Sequence, residues 1–120
     1  MNHNFKKLQY WQKARMFVLD VYSATASFPR EEQFCLTDQI RRASISIPSN
    51  IAEGCGRRSD RQLSHFLDIA QGSSMELETQ LILASDLRYI SGKQFGILEH
   101  QLHELQKMNV GLKNRLTAKF

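Results

Sequence analysis

Turn-forming residues are scarce in this chain. Two prolines and six glycines in 120 residues are too few for the many turns of a β-sandwich or barrel. Apolar runs are short as well. No stretch of about 18 apolar residues occurs, which excludes a membrane-spanning helix. Two separated cysteines, Cys35 and Cys55, read most simply as reduced thiols packed among helices, with a disulfide between them as the lesser alternative. The opening MNHNFKKLQYWQKAR is polar and basic and lacks the apolar core of a secretory signal, so a cytoplasmic protein is expected. Acidic residues are outnumbered, with 12 Asp and Glu against 16 Lys and Arg. The net charge of +4 and a pI near 9.3 permit an acidic partner without demanding one.

What is present is helical periodicity. The sequence predicts one domain over residues 1–120, an all-α, antiparallel up-down four-helix bundle with helices at about 5–27, 34–54, 60–90 and 93–117. In the first helix, with Asn4 as its cap, the apolar run Met16-Phe17-Val18-Leu19 sweeps all round the axis, so one core cannot hide it and a second subunit is expected to cover part. In the second, Leu36, Ile40, Ala43, Ile47 and Ile51 recur at steps of three and four. Pro48 lies inside this helix. It removes one donor and crowds the carbonyl of Ser44, predicting a kink there, with a complete break at Ile47 as the alternative. Gly54 and Gly56 are read as its end. Ser59-x-x-Gln62 and Ser91-x-x-Gln94 are capping boxes for the third and fourth helices.

Those two helices carry matching seams: Leu63, Leu67, Ala70, Ser74, Leu77, Leu81 and Ala84 against Phe95, Leu98, Leu102, Leu105, Asn109, Leu112 and Leu116. A tight hairpin at Ser91-Gly92 sets Ala84 opposite Leu98, Leu77 opposite Leu105 and Ala70 opposite Leu112. It also sets the only polar seam residues, Ser74 and Asn109, opposite each other. A buried Ser74–Asn109 hydrogen bond is therefore expected to fix register, so that Asn109→Leu would stabilise the bundle while loosening it. The same reasoning for helices two and three places Gly72 against Ala43 as a close backbone approach, with Ser73 opposite Arg42 and Glu76 one turn away.

Patterns that carry chemistry are weak. In EHQLHE, His100 and His103 stand three apart beside Glu99 and Glu104, but neither H-E-x-x-H nor E-x-x-H occurs, so no metal site and no cofactor are expected. Cys35 and Cys55 have no neighbouring His, and SISIPS lacks the G-x-S-x-G context of a nucleophile. Gly54-x-Gly56 before a helix lacks the rest of a phosphate loop. No catalytic residue is assigned. Glu53, beside Asn50, and the pair Glu76 and Glu78 read as carboxylates of which one meets Arg41 or Arg42 across an interface. The remaining signal is basic: Arg41, Arg42, Arg57, Arg58 and Arg61 within 21 residues, with Lys13 and Arg15 on helix one. Guanidinium forks suit phosphate, and the absence of interleaved aromatics predicts backbone contact rather than base stacking.

The stretch from Leu8 to Ile90, and above all LTDQIRRASISIPSNIAEG, GRRSD and GSSMELETQL, resembles the bacterial four-helix-bundle proteins encoded within intervening sequences of 23S rRNA genes. That family is related to the accessory variability determinant proteins of diversity-generating retroelements. The resemblance implies an up-down bundle assembled as a homopentamer, with no assigned catalytic residues. The retroelement relatives present a basic surface to nucleic acid and to a reverse transcriptase. Arg41 and Arg42 match the family's IRR, and Arg57 and Arg58 its GRRS. Arg88 stands where the family usually has Gly, which bears on where helix three ends. Three functions compete, in this order: an oligomeric binder of RNA or DNA; a protein-interaction scaffold whose arginines make subunit or partner salt bridges; and a small enzyme or metal carrier.

Overall fold

Seam residues of the kind just described bury themselves by pairing helices, and the computed structural model, which describes residues 3–118 and 120, is built from that pairing. Its helices are α1 (Gln9–Thr25), α2 (Leu36–Cys55), α3 (Asp60–Asp86) and α4 (Gly92–Thr117), with single 3-10 turns at Phe5–Lys7 and Arg30–Glu32. No strand occurs among the described residues. Contacts run α1–α2, α2–α3, α3–α4 and back from α4 to α1, which closes a four-helix bundle 46 Å long. Leu63, Leu67, Leu77 and Leu81 of α3 and Leu98, Leu102 and Leu105 of α4 are buried with Ile40, Ile47 and Ile51 of α2 and Phe17 and Val21 of α1. Each such side chain contributes ~1.5–3 kcal/mol of burial free energy.

Both capping serines act as expected. Ser59 Oγ accepts from the Gln62 amide at 3.2 Å and Ser91 Oγ from the Gln94 amide at 3.1 Å. The Gln62 side chain reaches one residue further back than a standard box and accepts from the Arg58 amide.

Several boundaries differ from expectation. Asn4 caps only the 3-10 turn, accepting from the Lys6 amide. The chain extends at Leu8 and the α-helix starts at Gln9. That detour lets the Phe5 ring meet Trp11 edge-on at 5.0 Å. Within the four-residue apolar run, Phe17 is buried, whereas Met16 and Leu19 stand 59% and 58% exposed. Phe34 lies outside α2 and is 85% exposed. Pro48 does not break α2, which continues to Cys55. Gly54 is not a terminator either. It is buried within α2, where an added Cβ would sit 2.7 Å from Leu63 Cδ1 and 2.8 Å from Phe66 Cβ. Gly54, and not Gly72, is therefore where α2 and α3 approach closely. Gly72 is exposed, with nothing within 4 Å of an added Cβ.

The polar pair in the core also corrects the sequence reading. Ser74 and Asn109 are both buried, at 1% and 2% exposure, but they do not bond. Asn109 Nδ2 donates to Tyr10 Oη at 2.8 Å and to the Leu67 carbonyl at 2.9 Å, and Ser74 Oγ finds no partner among the described residues. Burial pushes the Tyr10 phenol up to about 12, against the smaller lowering from the Asn109 bond, so Tyr10 is a neutral core group. Asn109 prefers Tyr10 because α1 brings a phenol into the same layer, a partner the α3–α4 pairing alone does not reveal.

Helix α3 ends at Asp86, four residues before the expected Ile90. The Tyr89 amide reaches back to the Ala84 carbonyl and the Arg88 amide to Ser85, a Schellman closure whose reversing residue must be left-handed. Arg88 fills it at φ 63°, the one non-glycine with positive φ among the described residues. A left-handed side-chain residue costs ~1–2 kcal/mol. Arg88→Gly should therefore raise stability by about 1 kcal/mol and the melting temperature by roughly 4 °C. Thermal unfolding checks this; an unchanged or lowered midpoint contradicts it.

Candidate nucleic-acid interface

An antiparallel bundle sorts its basic residues by end and by face, so the arginines that cluster in sequence need not cluster in space. The start of α1, the end of α2, the start of α3 and the end of α4 share one end of the bundle. His3 ties this end together: its amide bonds the Cys55 carbonyl, and its ring lies 2.9 Å from Asp60. Arg57, Arg58 and Arg61 all stand here, exposed, beside the turn bearing Lys6 and Lys7. Arg41 and Arg42 lie near the other end of α2, on the order of 20 Å away at 1.5 Å per residue. The expected five-arginine group is thus split in two.

Aromatic faces shape the basic groups. The guanidinium of Arg57 lies 4.8 Å from the Phe66 ring centre and that of Arg61 4.5 Å from Phe120. Arg15 covers Trp11 at 5.6 Å and Arg41 covers Tyr22 at 4.4 Å. Stacking holds a guanidinium plane while leaving its edge N–H groups free to bond. The sequence reading missed this, although Trp11 and Arg15 at i, i+4 were a visible signal.

The expected interhelical carboxylate pairs do not form. Arg41 donates through Nε to Thr25 Oγ1 at 2.9 Å and through Nη2 to the Tyr22 carbonyl at 3.5 Å, bracing α2 on α1. Arg42, which was expected near Glu76, pairs instead with Asp38 on its own helix at 2.9 Å, and Arg57 pairs with Glu53 likewise. Long exposed side chains take the nearest partner one turn away because that costs the least ordering entropy. Such exposed pairs are weak, ~0.3–0.5 kcal/mol, so an incoming phosphate can displace them. Lys13 is paired with Glu104 of α4, whose carboxyl is thereby held below its usual range. Glu76 is exposed. Glu78 faces α4, where Gln106 and then His103 hold its carboxyl below the ordinary value. Ser73 bonds Ser46 Oγ at 2.8 Å, and Asn50 Nδ2 bonds both the Ser46 carbonyl and its hydroxyl. This polar seam joins α2 to α3 half a turn from Pro48. Ser44 Oγ donates to the Arg41 carbonyl, a neighbouring group and not the one that Pro48 leaves without a donor. Burial pushes the Cys55 thiol up, away from nucleophilic use.

A model of the 23S rRNA-intervening sequence proteins matches residues 6–111. The chain belongs to the 23S rRNA-intervening sequence protein family. Arg41, Arg42, Arg57, Arg58 and Arg61 all fall inside the matched span, as does the whole α3–α4 seam up to Asn109. No curated protein matches the chain. Among solved structures, a protein of unknown function from the S23 ribosomal protein family of Bacteroides thetaiotaomicron is similar. It is 23% identical, covers 88% of this chain and 95% of its own, and superposes with a TM-score of 0.80. At that identity the likeness bears on the fold, and it is the same helical architecture. Among the described residues no helix is long and apolar enough to cross a membrane.

Proposed function

We propose that this member of the family is a non-catalytic, cytoplasmic, homo-oligomeric bundle that grips the phosphate backbone of RNA or DNA with its basic end. The observation that carries this reading is the group Arg57, Arg58 and Arg61 at the α2–α3 turn, two of whose guanidinium planes are held on Phe66 and Phe120. Lys6 and Lys7 extend the patch. Backbone contact follows from the chemistry: forked cations on a rigid helix end match phosphate oxygens, and Phe66 and Phe120 there each already carry a guanidinium. A role tied to rRNA intervening sequences, or to a retroelement and its reverse transcriptase, fits the family resemblance and the same surface.

Oligomerisation rests on a second surface. Leu19 and Ile45 are exposed apolar residues on the outer side of α1 and α2, and with Trp11, Val18 and Pro48 they line a shallow groove. An apolar groove of this kind on a small bundle suits contact with another copy of the chain, and five copies are what the resemblance implies. The scaffold reading, with no nucleic-acid role, draws on the pairs Arg42–Asp38 and Arg57–Glu53, which already neutralise part of the charge.

Fluorescence anisotropy with duplex and single-stranded RNA and DNA across a salt series separates these readings. The nucleic-acid reading expects affinity to fall steeply with salt, and Arg57→Ala/Arg58→Ala/Arg61→Ala to lower the log–log slope by about one per phosphate contact removed. Absence of binding at low salt, or an unaffected triple variant, contradicts it and favours the scaffold. Light scattering tests the apolar surface: Leu19→Asp/Ile45→Lys should reduce the assembly to single chains with helicity intact. A wild-type chain that is already monomeric contradicts the oligomer.

A further inference from the structure

Outside the basic end, the interface of α3 and α4 carries a second constellation. Glu99 and His103 stand four residues apart on α4, so their side chains share one face. Glu78 meets them from α3. The ligand atoms of the three lie within 4.8 Å of one another, and His103 Nε2 is 2.9 Å from Glu78 Oε2. The other Glu78 oxygen, Oε1, accepts from Gln106 Nε2 at 3.0 Å, which fixes the carboxylate's orientation in the way outer-shell partners orient metal ligands. Directly beneath, Leu77, Leu81, Leu102 and Leu105 are buried. The two backbones are therefore fixed, and the three ligand atoms can converge by side-chain rotation alone.

We propose that Glu78, Glu99 and His103 form a binding site for a divalent cation of borderline softness, of which Zn²⁺ is the type, bridging α3 and α4. One imidazole nitrogen with two carboxylates is a donor set for Zn²⁺ or Co²⁺ and argues against Ca²⁺ or Mg²⁺, which take oxygen ligands. Two carboxylates and a neutral imidazole supply a charge of −2 to match the ion. The site lies at the surface, with the side chains of His103 46% and Glu78 24% exposed, so water completes the coordination. The imidazole ligates through Nε2, and the ion replaces the present His103–Glu78 hydrogen bond. Sequence patterns such as E-x-x-H on one helix miss this arrangement because the third ligand comes from the neighbouring helix.

The test is calorimetric titration of the full chain, stripped with chelator, with ZnCl₂, alongside visible absorption with CoCl₂. One ion per chain is expected. His103→Ala and Glu99→Gln should each weaken binding by at least about tenfold, with unchanged helicity by circular dichroism, while His100→Ala on the same helix should bind as wild type. An absence of binding, or binding that His103→Ala leaves unchanged, overturns the proposal.

Discussion

One side-chain amide organises this molecule. Asn109 sits almost fully buried among leucines, where an unbonded amide would cost ~1–3 kcal/mol. It avoids that cost in one arrangement: one hydrogen to the Tyr10 phenol of α1, the other to the Leu67 carbonyl of α3. Three helices are thereby indexed to one another at a single level. Leucine seams alone tolerate sliding, because one leucine fits another's place; a buried polar group does not.

The surface follows from that register. With α3 and α4 indexed, Lys113 meets Asp68, Gln71 reaches the Gln106 carbonyl, and Glu78 faces His103 and Gln106. A slip of one turn would part Glu78 from Glu99 and His103. It would equally move the end of α4, where Phe120 lies beneath Arg61. The bundle thus presents three separate surfaces: a basic end, an apolar flank on α1 and α2, and a carboxylate–imidazole group on α3 and α4.

Much of this was legible in the sequence. Both seams follow from periodicity, because burial on one stripe leaves a 3.6-residue mark, and both serine caps follow from the S-x-x-Q pattern that precedes each helix. The buried polar residues were also recognised, but their bond was not. Pairing α3 with α4 alone leaves out α1, so Tyr10 was invisible as a partner. Gly54 was read as a helix end because glycine serves both termination and close approach, and only the position of Leu63 and Phe66 distinguishes them. The arginines were assigned to distant carboxylates, whereas flexible exposed side chains settle on partners one turn away. Arg88 departs from the glycine that the resemblance leads one to expect, and its positive φ is a conformation that favours glycine.

The most direct measurement is a double-mutant cycle on Tyr10→Phe and Asn109→Leu, read by chemical denaturation. If the amide–phenol bond fixes the bundle, each single variant is destabilised by about 1–3 kcal/mol, and the double variant loses less than the sum of the two. Additive losses, or an Asn109→Leu chain more stable than wild type, would contradict that account.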